Sequence, residues 1–293
     1  MSYRLIAAAV AILLLAVGAW LSTSGSSGTH AQRSEEFAWR LYPSPTKNRL
    51  TTISMLSPTR GYAIGRHLIE YDGAGWIISP THPPIRNIER LFVMSEKNIW
   101  VTQGTITFES TLFHYNGNQW KEIQHPLANF IYAMHFLSDG KGWIGGDREI
   151  AFFDGRRWRL LPPPTLSENV KSVFGSSAEE VWVRTLGKRL FYYSNGTWNE
   201  SLTGKPVHFV WFKNMFSGFA LSENELFELR AGEWILHSTS DSLKRVTQLA
   251  VSPHGKLWGI GTEGLVMHYD GKQWERVSVP TQANPSSTLE KYF

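Results

Sequence analysis

Tyr269-Asp270-Gly271-Lys272-Gln273-Trp274 decides the fold, because the same phrase recurs upstream. Full copies are Tyr71-Asp72-Gly73-Ala74-Gly75-Trp76, Tyr115-Asn116-Gly117-Asn118-Gln119-Trp120 and Phe153-Asp154-Gly155-Arg156-Arg157-Trp158. Ser194-Asn195-Gly196-Thr197-Trp198 is shortened, and Leu229-Arg230-Ala231-Gly232-Glu233-Trp234 is divergent. The closing tryptophans stand at 76, 120, 158, 198, 234 and 274, a spacing of about 40 residues. Gly, and to a lesser degree Asn or Asp, accepts positive φ, so each phrase predicts a chain reversal between two strands.

An aromatic in a short strand precedes each closing tryptophan: Tyr62, Trp100, Trp143, Trp182, Phe219 and Trp258. Between the two markers lies a strand of period two. Its inward column reads Ile69/Tyr71, Phe113/Tyr115, Ala151/Phe153, Phe191/Tyr193, Phe227/Leu229 and Met267/Tyr269. A further apolar strand opens each unit, as at 50–56 and 246–251. Units of four strands near 40 residues predict an all-β chain, a β-propeller of six four-stranded blades, with seven as the alternative. One blade cannot bury both of its faces, whereas neighbours in a ring can. The closing tryptophan rings are expected to fill the wedges between blades. Trp39-Arg40-Leu41-Tyr42-Pro43 echoes Trp158-Arg159-Leu160-Leu161-Pro162 and reads as an outer strand that fastens the ring or marks an incomplete seventh blade.

The uncharged, mostly apolar run Leu5 to Leu21 follows Arg4. As a helix it would span about 26 Å, slightly short of a bilayer core of about 30 Å. It reads as a signal anchor, with the bulk of the chain outside the cytoplasm, or as a cleaved signal peptide cut after Ala19. Export is expected either way: a single-pass cell-membrane protein, or a secreted one. The expected organisation is 1–22 anchor or signal, 23–36 a Ser/Gly-rich stalk, 37–280 the propeller and 281–293 a loose tail. The chain contains no cysteine, which excludes disulfides and a lipid-modified anchor. A net charge of +4, from 29 basic and 25 acidic residues well interleaved, argues against a nucleic-acid partner.

The copy running from Leu257 through Gly259-Ile260-Gly261-Thr262-Glu263-Gly264 to Trp274 resembles the repeats of bacterial extracellular propellers. These include relatives of the sialidase Asp-box repeats, photosystem II assembly-factor propellers and the propellers of two-component regulators. The resemblance covers about residues 39–280 and implies the fold; at the level of a repeat it leaves function open. The sequence departs from the Asp-box pattern, because Asp270 and Trp274 are one residue closer and the opening Ser is missing.

Chemistry is sparse. Arg66, Arg86, Arg148, Arg184, Arg189 and Arg245 fall at comparable strand-connecting positions and would share one face of a propeller. They are read either as an anion-binding funnel or as solvated loop charge, with Asp147, Glu149, Glu168 and Glu263 among them. An insertion between Trp100 and Trp120 carries Ile106 and Phe108, candidates for an exposed protein contact. The ten histidines show no metal-ligand spacing, so no metal and no cofactor are expected. His114 and His268 occupy the same place in their repeats and are expected to pack between blades. No nucleophile elbow, phosphate loop or dinucleotide fingerprint is present, and no catalytic residue is assigned. The expected function is an exported binding or scaffold module for a protein or glycan partner at the cell surface. The alternatives are a glycan-processing hydrolase of sialidase-like ancestry and an accessory sensor domain of a membrane complex.

Overall fold

Two turn designs close the outer hairpins, and the difference is one of loop length. The computed structural model describes residues 42–85, 88–104, 109–165, 167–252 and 256–278. In four repeats the loop runs from Asp72, Asn116, Asp154 or Asp270 to the residue before tryptophan. The side-chain Oδ1 of that first residue accepts the backbone N–H groups two and three positions on. The following glycine sits at φ 93–102°, where a Cβ would be strained. The shortened copy and the divergent one use tight two-residue turns instead. Asn195-Gly196 and Ala231-Gly232 have positive φ at both positions, the geometry that matches strand twist.

Six four-stranded antiparallel sheets result, each with its strands in sequence order. They span 52–78, 88–123, 133–161, 170–201, 207–239 and 246–276, here blades one to six. The first strands of successive blades adjoin one another and line the axis: Thr52–Ser57, Ile88–Ser95, Ala133–Phe136, Val170–Ser177, Val207–Asn214 and Val246–Val251. The six blades form a ring, a six-bladed β-propeller.

Both faces of the third strands are buried. The inward column is joined by Leu68, Leu112, Ile150, Leu190, Leu226 and Val266, all nearly inaccessible. A blade is sandwiched between two neighbours, so alternation along its strands distinguishes the two seams and not core from solvent. Separate apolar clusters bind blade one to two, two to three, three to four, four to five and five to six.

The wedge-filling role falls mainly to the second-strand aromatics. Trp100, Trp143, Trp182 and Trp258 are at most 3% exposed, whereas the closing tryptophans are half-buried. Trp100 stacks on Phe136 of the next blade with centroids 3.7 Å apart. Trp143 lies so close to Gly175 of blade four that a Cβ there would meet its Nε1 at 2.2 Å.

Closing tryptophans act as latches instead. Trp120 donates its indole N–H to the Thr81 carbonyl at 2.5 Å, and Trp198 donates to the Pro162 carbonyl at 2.8 Å. Trp274 donates to Ser238 Oγ at 3.2 Å. Each acceptor belongs to the end of the preceding blade. His114 stacks on Trp100 of its own blade, and the buried His268 packs at a tilt against Trp258 of its own.

Among the described residues no helix is long and apolar enough to cross a membrane. Leu5–Leu21, the stalk, Trp39–Leu41 and the tail from 279 lie outside them.

Candidate functional site

The loops joining second to third strands, and those joining one blade to the next, open onto one face, where most of the sequence-predicted arginines lie. Arg66 is exposed on the blade-one loop and borders a cleft of about 570 Å³ together with Arg49, Arg90, Phe130 and Tyr132. Arg184 reaches a second cavity, on the axis. Arg148 is exposed at φ 58° in the blade-three loop. Arg189 is bound to Glu200 at 2.5 Å, with Glu168 at 3.8 Å, and Arg245 pairs with Glu263 at 2.5 Å. Arg86, Ile106 and Phe108 lie outside the described residues. The insertion that holds the last two prolongs the hairpin of blade two, with Gly104 paired to Ser110.

The structure also brings in residues that the loop positions did not reveal. Arg90 projects from the innermost strand of blade two and donates to the carbonyls of Tyr132 and Glu89 at 3.1 and 3.0 Å. Lys171, at the start of blade four, places its ammonium 3.6 Å from the centre of the Tyr132 ring, a cation–π contact across the blade-three/four seam. Burial, and then the nearby Arg90, hold the Lys171 ammonium below its ordinary pKa; Arg184 adds to this and Asp147 opposes it. The Tyr132 hydroxyl is pushed up by burial and by its hydrogen bond to Asp147, which also accepts from Asn169 Nδ2 at 2.7 Å. Strand residues of this kind give no loop signal in the sequence; only ring closure carries three blades' cations to one mouth.

Below the mouth, the axial cavity has a volume of about 340 Å³. Phe92, His135, Phe174, Trp211 and Phe212 line it from the innermost strands of blades two to five, and Ser172 and Arg184 add polar atoms. Arg184 Nη1 donates to the Thr185 carbonyl at 3.3 Å. Among the described residues no carboxylate lies within ion-pair distance of it, and burial lowers its pKa. His135 is held neutral, its pKa lowered to about 4 by burial, which a hydrogen bond to the Gly175 backbone only partly offsets. Among the described residues no cluster of His, Asp and Glu has the arrangement of a metal site.

This arrangement defines a class: a β-propeller with a cationic mouth above an aromatic axial cavity. No protein-family model and no curated protein sequence matches the chain. Among solved structures it is similar to YCF48 bound to D1 peptide, at 13% identity and a TM-score of 0.59 over 80% of this chain and 83% of that one. It is similar to virginiamycin B lyase from Staphylococcus aureus with quinupristin, at 12% and 0.59 over 76% and 82%. It is also similar to the extracellular domain of a hybrid two-component system from B. thetaiotaomicron, at 15% and 0.56 over 74% of this chain and 32% of that one. At such identities the likeness is one of fold. It bears out the repeat-level resemblance to assembly-factor and two-component-regulator propellers.

Proposed function

We propose that the chain is an exported binding module whose cationic face holds a protein partner with an acidic surface. The observation that carries this is the convergence of Arg66, Arg90, Lys171 and Arg184 on the axial mouth, above a cavity lined by aromatics. Four cations against Glu89 and Asp147 leave the mouth with a positive surplus, and a surplus of one sign around a low-dielectric opening focuses the field on a ligand of opposite sign. Export rests on the apolar run after Arg4, which would tether the propeller through the 23–36 stalk or be cleaved to release it. A protein of the same fold, YCF48, is known with a bound peptide. Ile106 and Phe108 would add an apolar contact at the rim.

The test is a crosslinking capture from the host's envelope extract with the full chain as bait. One protein captured repeatedly, and lost on Arg66→Glu with Lys171→Glu, supports the reading. Capture that survives both charge reversals removes the cationic face from it. Replacing Ile106 and Phe108 by Ser tests the rim contact separately.

A second reading, glycan hydrolysis, draws support from Arg49, Arg66 and Arg90 around one cleft with Tyr132 at its edge. Among the described residues the Tyr132 hydroxyl is hydrogen-bonded to Asp147, whereas Glu89 of the same cleft acts on it only through space, so no Tyr–Glu hydrogen bond of a sialidase-type nucleophile is made there. Release of a fluorophore from an aryl sialoside, abolished by Tyr132→Phe, would establish that reading; no release would dismiss it. The accessory-sensor version keeps the same face and differs only in what the captured partner does.

A further inference from the structure

We infer that the axial cavity is a binding site for a small aromatic carboxylate, held by Arg184 and stacked against the aromatic wall of blades two to five. The inference rests on the cationic face being a binding face and names a ligand class for its deepest part.

The wall is continuous and one-sided. Phe92 and His135 lie 5.3 Å apart, His135 and Phe174 4.5 Å, and Phe174 and Phe212 5.1 Å. At the same register, paired with the second-strand aromatic, blades one and six present Ser54 and Ala250. Blade five presents Trp211 there. Large rings on four blades, against small residues at the same register on the other two, make the centre asymmetric, and the cavity is lined from the four aromatic blades.

Charge fixes the second half of the ligand. Arg184 sits beside Trp182 on the strand Glu180–Thr185, cross-strand from Ser172, and its guanidinium borders this cavity. A desolvated guanidinium with one weak backbone acceptor keeps most of its donors unused. Its planar fork matches a carboxylate, and Lys171 and Arg90 above add attraction that Asp147, acting on the same ammonium, reduces. Neutral His135 contributes ring surface and a hydrogen-bonding nitrogen but no charge. The volume lies at the small end of the range of roughly 300–1,000 Å³ for ligand sites, enough for one or two fused rings.

The experiment is calorimetric titration of the full chain with 2-naphthoate and with its uncharged counterpart 2-naphthamide, followed in parallel by quenching of tryptophan fluorescence. One equivalent of naphthoate should bind, at least about tenfold more tightly than the amide. Arg184→Gln should reduce naphthoate to the affinity of the amide. Ser172→Trp, which fills the cavity while leaving Arg184, should remove binding of both. Arg189→Gln, on the same face but ion-paired, should leave the titration unchanged. Absence of naphthoate binding, equal affinities for acid and amide, or binding indifferent to Ser172→Trp would overturn the inference. The acid-to-amide ratio needs no variant, so it decides even if Arg184→Gln fails to fold. Capture of an acidic protein through Arg66 and Lys171 without naphthoate binding would sink the cavity ligand alone and leave the binding face standing.

Discussion

The hydroxyls of Tyr42 and Tyr71 stand 2.8 Å apart, and their rings meet edge-on with centroids at 5.3 Å. The same contact recurs between blades five and six, where His237 meets Tyr269 edge-on at 5.1 Å. His237 lies three residues after Trp234, as Tyr42 does after Trp39. Tyr42 therefore takes the place, beside blade one, that the outer strand of a preceding blade takes elsewhere in the ring. The expectation that 39–43 fastens the ring or marks an incomplete seventh blade falls mostly on residues outside the described structure; of it, Tyr42 is seen in contact with blade one. Tyr42→Ala is expected to lower unfolding free energy by about 1–3 kcal/mol and Tyr42→Phe by about 1 kcal/mol. Urea titration checks both; no loss in either would detach the segment from the fold.

The two tryptophan columns should differ in cost. Trp143 is fully buried between blades three and four, so Trp143→Ala is expected to cost about 3–5 kcal/mol. Half-buried Trp158, whose indole nitrogen finds no partner among the described residues, should cost clearly less. Denaturant midpoints of the two variants decide this; equal losses would return the wedge-filling role to the closing residues.

Gly175 offers a converse test, because nothing in its backbone demands glycine and only the Trp143 ring does. Gly175→Ala should overpack the seam and lose about 1–3 kcal/mol. The paired change Gly175→Ala with Trp143→Phe should recover part of that loss. Additive losses in a double-mutant cycle would show that the two residues do not compete for the same space.

Stability should fall in mild acid. His135 has a folded pKa of about 4 against about 6.5 unfolded, so between those values the unfolded chain binds the proton first. Stability is then flat above about pH 6.5 and drops as pH falls towards 4, by at most about 1.4 kcal/mol per unit for this one group. Burial lowers His114, His208 and His237 in the same direction. Unfolding midpoints at pH 7 and pH 5 should diverge less in His135→Gln than in the parent; an unchanged pH dependence would mean that the imidazole charges within the fold.

Two arginines of one face should behave oppositely. The Arg189 side chain is 40% exposed, and its ion pair with Glu200 is screened, so Arg189→Met should change stability by less than about 1 kcal/mol. Arg184 is desolvated with no carboxylate partner among the described residues, so Arg184→Met should leave stability level or raise it. Thermal midpoints read both, and a large loss at Arg184 would assign it a structural task.

The amino-acid order alone determined the blade: where the chain turns and how many strands a unit has. Those features depend on glycine's tolerance of positive φ and on period-two patterning, both local. That the units are six and not seven was decided by the structure. The expectation of export rests on residues 5–21, which lie outside the described structure. The anticipated face was legible only as loop positions. Order along the chain cannot say that Arg189 and Arg245 meet glutamates while Arg184 meets none among the described residues, since those partners are chosen by how strands and blades adjoin. Nor could it single out Arg90, Lys171 and Tyr132, which sit on innermost strands or their approaches and look like ordinary repeat residues. The tertiary structure decided the cavity for the same reason. Phe92, His135, Phe174 and Trp211 are about 40 residues apart in sequence, and only the closing of the sheets around one axis makes them a wall.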